Sequence, residues 1–310
     1  EHFGFHDGIS QPFVEGLSRR GRWQDTIRAG EFVLGYPNEY GLYTESPTVA
    51  ASSDPAGLLP GGRSEGRRRD LGRNGTYLVL RQLAQHVHRF WGFADAVSRR
   101  ADGTEDPAAR ARIAAKMVGR WPEGAPLVLS PDRDDPRLSG MNEFDYHASD
   151  PDGDRCPVGA HVRRANPRDS LDPDPGSRAS VAINKRHRIL RRGRGYGNRI
   201  TVDEALANGD PASDDGRGLH FLCLNANIAR QFEFIQHTWV NNPGFDGLYD
   251  DDDPLIGDRG GSYGKGAGTF TIQADPVRTR VTGMPRFVQV RGGAYFFMPG
   301  IRALRFLASL

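Results

Sequence analysis

An α+β fold is what this sequence predicts, on three observations. Short β-branched and aromatic runs mix with amphipathic stretches, without the regular strand-helix repeat of a parallel α/β sheet. Glycine (39) and proline (21) are plentiful among the 310 residues, which implies long loops. The hydrophobic share is 37% against 26% charged, enough for a packed core but low for a helical bundle.

The elements follow in chain order. Residues 1–50 are rich in Gly, Pro and aromatics, and 51–75 read as a polar loop. TYLVL (Thr76–Leu80), bounded by Gly75, is a strand, and 81–95 are expected to continue as a helix. DPAARARIAAKMVGRW has Pro107 near its start and Ile113, Met117 and Trp121 at i, i+4 and i+8, the stripe of an amphipathic helix. From Pro122 to about Arg192 the chain reads as one long irregular stretch, of the kind that is functional or disordered. LHFLCL (Leu219–Leu224) is a strand. NIARQFEFIQHTWV is a helix with Ile228, Phe232, Ile235 and Trp239 on one face. Residues 249–268 are loop, RFVQV and AYFFM around RGG form a hairpin, and Ile301–Leu310 a closing helix.

Composition narrows the function. The 41 basic and 39 acidic residues leave a net charge of +2, so no global field calls for nucleic acid. An Arg-rich nucleic-acid module is the surviving reading of that class, and salt-dependent binding would test it. No apolar run is long enough to span a bilayer. No signal peptide is visible, in a chain that starts at Glu1 rather than Met. Two cysteines, Cys156 and Cys223, make no disulfide framework and fit a reducing compartment or simple packing.

Several motifs fail on spacing. GSYGKGAG lacks the P-loop pattern, because Arg259 stands where the first Gly belongs and Gly266 where Ser or Thr belongs. DPDGD starts like a calcium loop, with Asp150, Asp152 and Asp154, but Arg155 and His161 occupy the Gly and Glu positions. The segments CPVGAHVRRANPRD and HRILRRGRGYG are different. One imidazole, His161, sits among small and apolar residues, and Arg163, Arg164, Arg168 and a second Arg cluster follow. Clustered guanidiniums near a core ask for an anion. Haem satisfies both features, with His on the iron and Arg on the propionates. An Arg-laced surface loop is the alternative.

With those segments in view, the sequence resembles the dye-decolorizing peroxidase family, in particular its longer bacterial members. GFHDGISQP (Gly4–Pro12) is similar to the family's G-x-x-D-G signature, GAHVRRANPR to its proximal segment and ILRRGRGYG to its distal-arginine segment. EFVLGYPNEYG, KMVGRWPEGAPL, GLHFLCLNANIARQFEFIQHTW and FVQVRGGAYFFMPG match further segments in order. The resemblance implies a ferredoxin-like haem-binding domain with long loops and insertions. It implies haem b, with His161 as iron ligand, Asp7 as distal acid–base group, Arg191 as distal arginine and Arg168 on a propionate. Leu219 and Phe221 would be the apolar wall above the iron. Arg192 competes with Arg191 through a one-residue slip, and His6 competes with His161. Asp275 is the guess for the carboxylate that orients the ligand. Residues 1–75 would hold the distal segment and linker, and 76–310 the haem-binding domain.

The implied reaction uses hydrogen peroxide and a one-electron donor such as a dye or phenol. An ionised Asp still works as a base at acidic pH, so an acidic optimum is expected unless burial raises its pKa. Exposed Trp or Tyr could relay electrons from bulky donors; Trp23, Trp91, Trp121 and Trp239 are present. Family members carry a large domain ahead of the signature, so the chain is expected to lack an N-terminal half that is cleaved, truncated or supplied by a companion chain. A cytoplasmic location, free or shell-encapsulated, and a homo-oligomer are further expectations. A haem-handling protein without turnover is the rival function.

Overall fold

A computed structural model describes residues 1–17, 21–63, 67–207, 216–259 and 268–310. The failed phosphate loop falls largely outside them. Four minor strands form two small pairs: β1 (Phe13–Val14) beside β2 (Thr26–Ile27), and β3 (Thr48–Ala50) beside β4 (Arg68–Asp70). The main unit begins with β5 (Thr76–Gln85), followed by α1 (Val87–Ser98) and α2 (Pro107–Val118). Next come α3 (Tyr146–Ser149), α4 (His161–Ala165), α5 (Arg178–Lys185), β6 (Leu190–Tyr196), α6 (Val202–Ala207) and β7 (Gly218–Asn225). A π-helical segment covers Ala229–Glu233 and Ile235–Val240. The chain closes with β8 (Gly268–Ile272), β9 (Thr279–Met284), β10 (Val288–Met298) and α7 (Ile301–Leu307).

The sheet β10-β5-β7-β6 is antiparallel throughout. With helices after β5 and after β7, this is a β-α-β-β-α-β unit of order 4-1-3-2, the ferredoxin-like arrangement. The α+β expectation therefore holds. Two local expectations do not. Residues 81–85 extend the strand, because Arg81 and Leu83 pair with Phe221 and Leu219 on one side and with Gly293 and Val290 on the other. The helix then starts at Val87. The expected hairpin around Gly292 is one continuous strand, β10, with a bulge between Val290 and Gly292.

α2 forms where its ends are specified. The Asp106 side chain accepts from the Ala109 N–H at 3.0 Å, Pro107 opens the helix, and Gly119 ends it with φ of 100°. Trp121 thus lies past the helix end. α1 and α2 bury Phe90, Trp91, Ala94, Ala114 and Met117 against Phe3, Phe5 and Phe287. The first residues of the chain are therefore core. The Glu1 carboxylate reinforces them by accepting the N–H groups of Phe3 (2.9 Å) and Phe5 (2.7 Å). The stretch from Pro122 to Arg192 contains α3, α4, α5 and the start of β6, so it is folded rather than structureless.

Candidate active site

One cavity of about 330 Å³ lies between the sheet and the helices, a size typical of small-molecule sites. Strand alternation puts Arg81 and Leu83 of β5, Arg191 of β6, Leu219 and Phe221 of β7, and Val288 and Val290 of β10 on the sheet wall. Arg192, one residue on, is exposed on the opposite face. The π-helical segment adds Phe232, Ile235 and Val240, and α4 adds His161, Val162 and Ala165. π-Helices are rare and recur at functional sites. Here, bonds such as Glu233 N–H to the Ile228 carbonyl at 3.0 Å widen the turn that walls the cavity.

Asp7 reaches the cavity from the amino-terminal loop. Two ties fix that loop: the His6 N–H donates to the Pro122 carbonyl at 2.9 Å, and Gln11 grips β6. The Gln11 amide donates to the Arg191 carbonyl at 2.7 Å and accepts the Arg191 N–H at 3.3 Å. Asp7 Oδ1 accepts from Arg191 Nη1 at 2.5 Å and from the Gly8 N–H at 2.6 Å. Oδ2 lies against Gly193, where a Cβ would come within 2.5 Å of it and within 3.0 Å of Leu219. Burial pushes the Asp7 carboxyl up, but the Arg191 charge and hydrogen bond, with Gly8, outweigh it and hold it below its ordinary value.

On the helix wall, His161 Nδ1 lies 2.9 Å from Asp253 Oδ2 and 3.2 Å from Oδ1. Asp253 is fully buried, and its Oδ1 also accepts the N–H groups of Leu255 and Ile256 at 2.9 Å each. Burial opposes its charge, but His161, Arg164 and the Ile256 N–H keep it below the usual carboxylate range. An ionised Asp253 accepts a hydrogen bond from Nδ1–H, which leaves Nε2 as the nitrogen with the free lone pair. Asp253 therefore replaces Asp275, which is exposed beyond β8. His6 lines the cavity too, from the loop side, and is exposed.

Arg168 lines the cavity with φ of 57° and is buried, its guanidinium on the Asn142 and Phe144 carbonyls at 2.9 and 2.8 Å. Arg188 also lines it, is 5% exposed, and has Nη1 3.8 Å from Asp25. Burial pushes Arg188 down to about 10. The sequence did not single out Arg188, Gly193 or Asp253. Arg188 has a signal in its place in the Arg cluster beside ILRR; Gly193 and Asp253 have none without the fold. Elsewhere, the first acid of the calcium-loop look-alike serves structure: Asp150 accepts the N–H groups of Arg155 and Cys156 at 3.0 and 2.8 Å and pairs with Arg163. Cys156 and Cys223 are buried and free. Among the described residues no helix is long and apolar enough to cross a membrane. Of the four tryptophans, Trp23 is 43% exposed and the others are buried.

The residues fit a haem. An apolar chamber is walled by Leu219, Phe221, Phe232 and Ile235, the free Nε2 belongs to an imidazole fixed by a buried carboxylate, and buried guanidiniums suit two propionates.

No family model matches the chain. It is 33% identical over 316 residues to a dye-decolorizing peroxidase from Exidia glandulosa, covering 98% of this chain and 55% of that protein. It is 34% identical over 336 residues to one from Mycena epipterygia, covering 100% and 57%. The "Multifunctional dye peroxidase DyP2" of an Amycolatopsis species is 31% identical, covering 99% and 61%. Fungal and bacterial relatives thus both match, and they do not assign the chain to the longer bacterial members. Among solved structures, a mutant dye-decolorizing peroxidase from Pleurotus ostreatus superposes with a TM-score of 0.74 at 30% identity, covering 98% of this chain and 61% of that one. The chain spans between 55% and 61% of the length of the curated relatives it matches. Over nearly its whole length the chain is similar, in sequence and in fold, to dye-decolorizing peroxidases.

Proposed function

We propose that the chain is the haem-bearing part of a peroxidase that reduces hydrogen peroxide and oxidises dyes, phenols or similar one-electron donors. The observation that carries this reading is the pairing of Asp7 with Arg191 at 2.5 Å on one side of a cavity whose helix wall holds His161 against Asp253. One solved neighbour is a dye-decolorizing peroxidase in complex with 2,6-dimethoxyphenol, and another has an engineered heme pocket, which supports the same substrate and cofactor class.

Residues 1–75 supply the distal acid, and 76–310 the ferredoxin-like unit with the iron ligand. His161 Nε2 would hold the iron of haem b, Arg168 and Arg188 its propionates, and Leu219 and Phe221 the apolar face. The bound haem supplies the two-electron reduction of peroxide and the one-electron oxidations that follow. Around it, Asp7 takes the proton from the oxygen that stays and returns it to the oxygen that leaves. Oδ2 suits that task, because Oδ1 is held by Arg191 and Gly8. Arg191 stabilises the negative charge that develops as the O–O bond breaks. The apolar wall keeps bulk water from competing for both groups.

The test is the visible spectrum of the chain with added haemin, followed by peroxide titration. A histidine-ligated ferric Soret band that shifts with peroxide is expected. A haem spectrum that peroxide leaves unchanged would favour haem handling and overturn the peroxidase reading.

A further inference from the structure

We infer that Arg164 is a positioning residue that holds the Asp253 loop at hydrogen-bond distance from His161. The inference rests on the haem-ligand reading of His161. α4 is only five residues long, and His161 and Arg164 stand three apart on it, so they leave the same side of one turn. His161 meets Asp253 through Nδ1. Arg164 meets the same loop through Nη2, which donates to the Asp251 carbonyl at 2.8 Å. Its other donors reach elsewhere. Nη1 donates to the Trp239 carbonyl at 3.0 Å and the Asn242 carbonyl at 2.7 Å, and Nε to the Gly159 carbonyl at 3.2 Å. One guanidinium thus joins the turn before the ligand, the end of the π-helical wall and the acidic loop.

Arg164 is 0% exposed and its four acceptors are backbone carbonyls, so among the described residues its charge has no direct carboxylate contact. Burying a guanidinium this way is costly. The charges of Asp253 and Asp251 nearby offset part of that cost. A rigid fork can span four carbonyls, whereas a lysine ammonium donates from one point. From the far side, Arg259 Nη2 donates to the Asp253 carbonyl at 2.5 Å and Nη1 to the Pro285 carbonyl at 2.9 Å. Arg259 steadies the loop, but Arg164 ties it to the helix that carries the ligand. The His161–Asp253 bond sets the basicity of Nε2, so its length depends on this second tether.

The experiment compares the full chain with Arg164→Lys, Asp253→Asn and the double variant, each loaded with haemin. Haem content, the ferric/ferrous potential and the ferrous iron–histidine stretching frequency are read. Arg164→Lys is expected to keep its haem, with a more positive potential and a lower stretching frequency, since a looser hydrogen bond leaves a less basic imidazole. Asp253→Asn should shift both further the same way, and the double variant should equal Asp253→Asn alone. If Arg164→Lys does not fold, Arg164→Gln keeps two donors and is read identically. Unchanged potential and frequency in a haem-replete variant, or shifts that simply add, overturn the inference. A parent chain that takes up no histidine-ligated haem overturns both this inference and the peroxidase reading.

Discussion

Gly193→Ala is the sharpest test of the distal geometry, because it adds one methyl group and no charge. Gly193 lies in β6 opposite Phe221, outside the left-handed region, so alanine adopts the same backbone. Its Cβ would stand 2.5 Å from Asp7 Oδ2, where ordinary contact begins near 3.4 Å. Asp7 must therefore retreat by about 0.9 Å, the difference between those distances, and the nearer Leu219 methyl, at 3.0 Å, must give a few tenths. A misplacement of about 1 Å in a reacting group costs about 100-fold in rate, or about 2.7 kcal/mol of barrier. Stopped-flow mixing of the haem-loaded variant with hydrogen peroxide, followed at the Soret band, measures the second-order constant. The expected result is a fall of about 100-fold with haem content and the iron–histidine signature unchanged. A variant that reacts as fast as its parent would refute the placement of Asp7 Oδ2 as the proton-accepting oxygen.

Asp7→Asn should keep haem and slow the peroxide step by about 10²- to 10⁴-fold; unchanged peroxide kinetics would remove Asp7 from the mechanism. Because Arg191 holds Asp7 below its ordinary value, the base stays ionised in mild acid, and the acid limb of the peroxide step should lie below about pH 3.9. A limb centred above pH 5 would contradict this. The same depressed pKa means the pair stabilises the fold above the unfolded carboxylate pKa and loses that contribution as pH falls through the lower folded value. His161→Ala should abolish the histidine-ligated Soret band on haemin addition, and a retained histidine-ligated spectrum would transfer the ligand role to His6. Arg230→Met removes the guanidinium that donates to the Glu31 carboxylate, 0% exposed, at 3.0 and 2.6 Å, and leaves that buried charge with the Glu39 N–H at 3.0 Å. A loss of about 3–5 kcal/mol in urea unfolding is expected, and a loss under 1 kcal/mol would show the pair to be dispensable.

What could be read from the chain divides along physical lines. α2 and β7 were legible because capping, periodicity and β-branched runs are local signals. The end of β5 was not, since RQLAQ is a polar run that pairing on both sides makes into a strand. Gly292 and Gly293 read as a turn, yet both pair within the sheet, with Gln82 and Arg81, and the bulge falls just before them at Arg291. In the site, Asp7, His161, Arg168, Arg191, Leu219 and Phe221 came from family segments, and the fold brings all six to one cavity. Asp253 was hidden within four consecutive acids, and only loop packing and the Leu255 and Ile256 N–H groups distinguish it. Gly193 was illegible because its role is the space it leaves.

The distal pair also sets a timetable for biogenesis. Asp7 and Arg191 are 184 residues apart in sequence, so on a ribosome adding about 5–20 residues per second the acid waits about 10–40 s for its arginine. Phe3 and Phe5 find Phe90 and Trp91 much sooner. The aromatic contacts can therefore moor the amino-terminal loop about halfway through that interval, and Gln11 can latch only when β6 emerges. Premature release or a slow codon run between Trp91 and Arg191 would expose a moored loop with an unpaired carboxylate, the stage at which a chaperone or a protease would meet this chain.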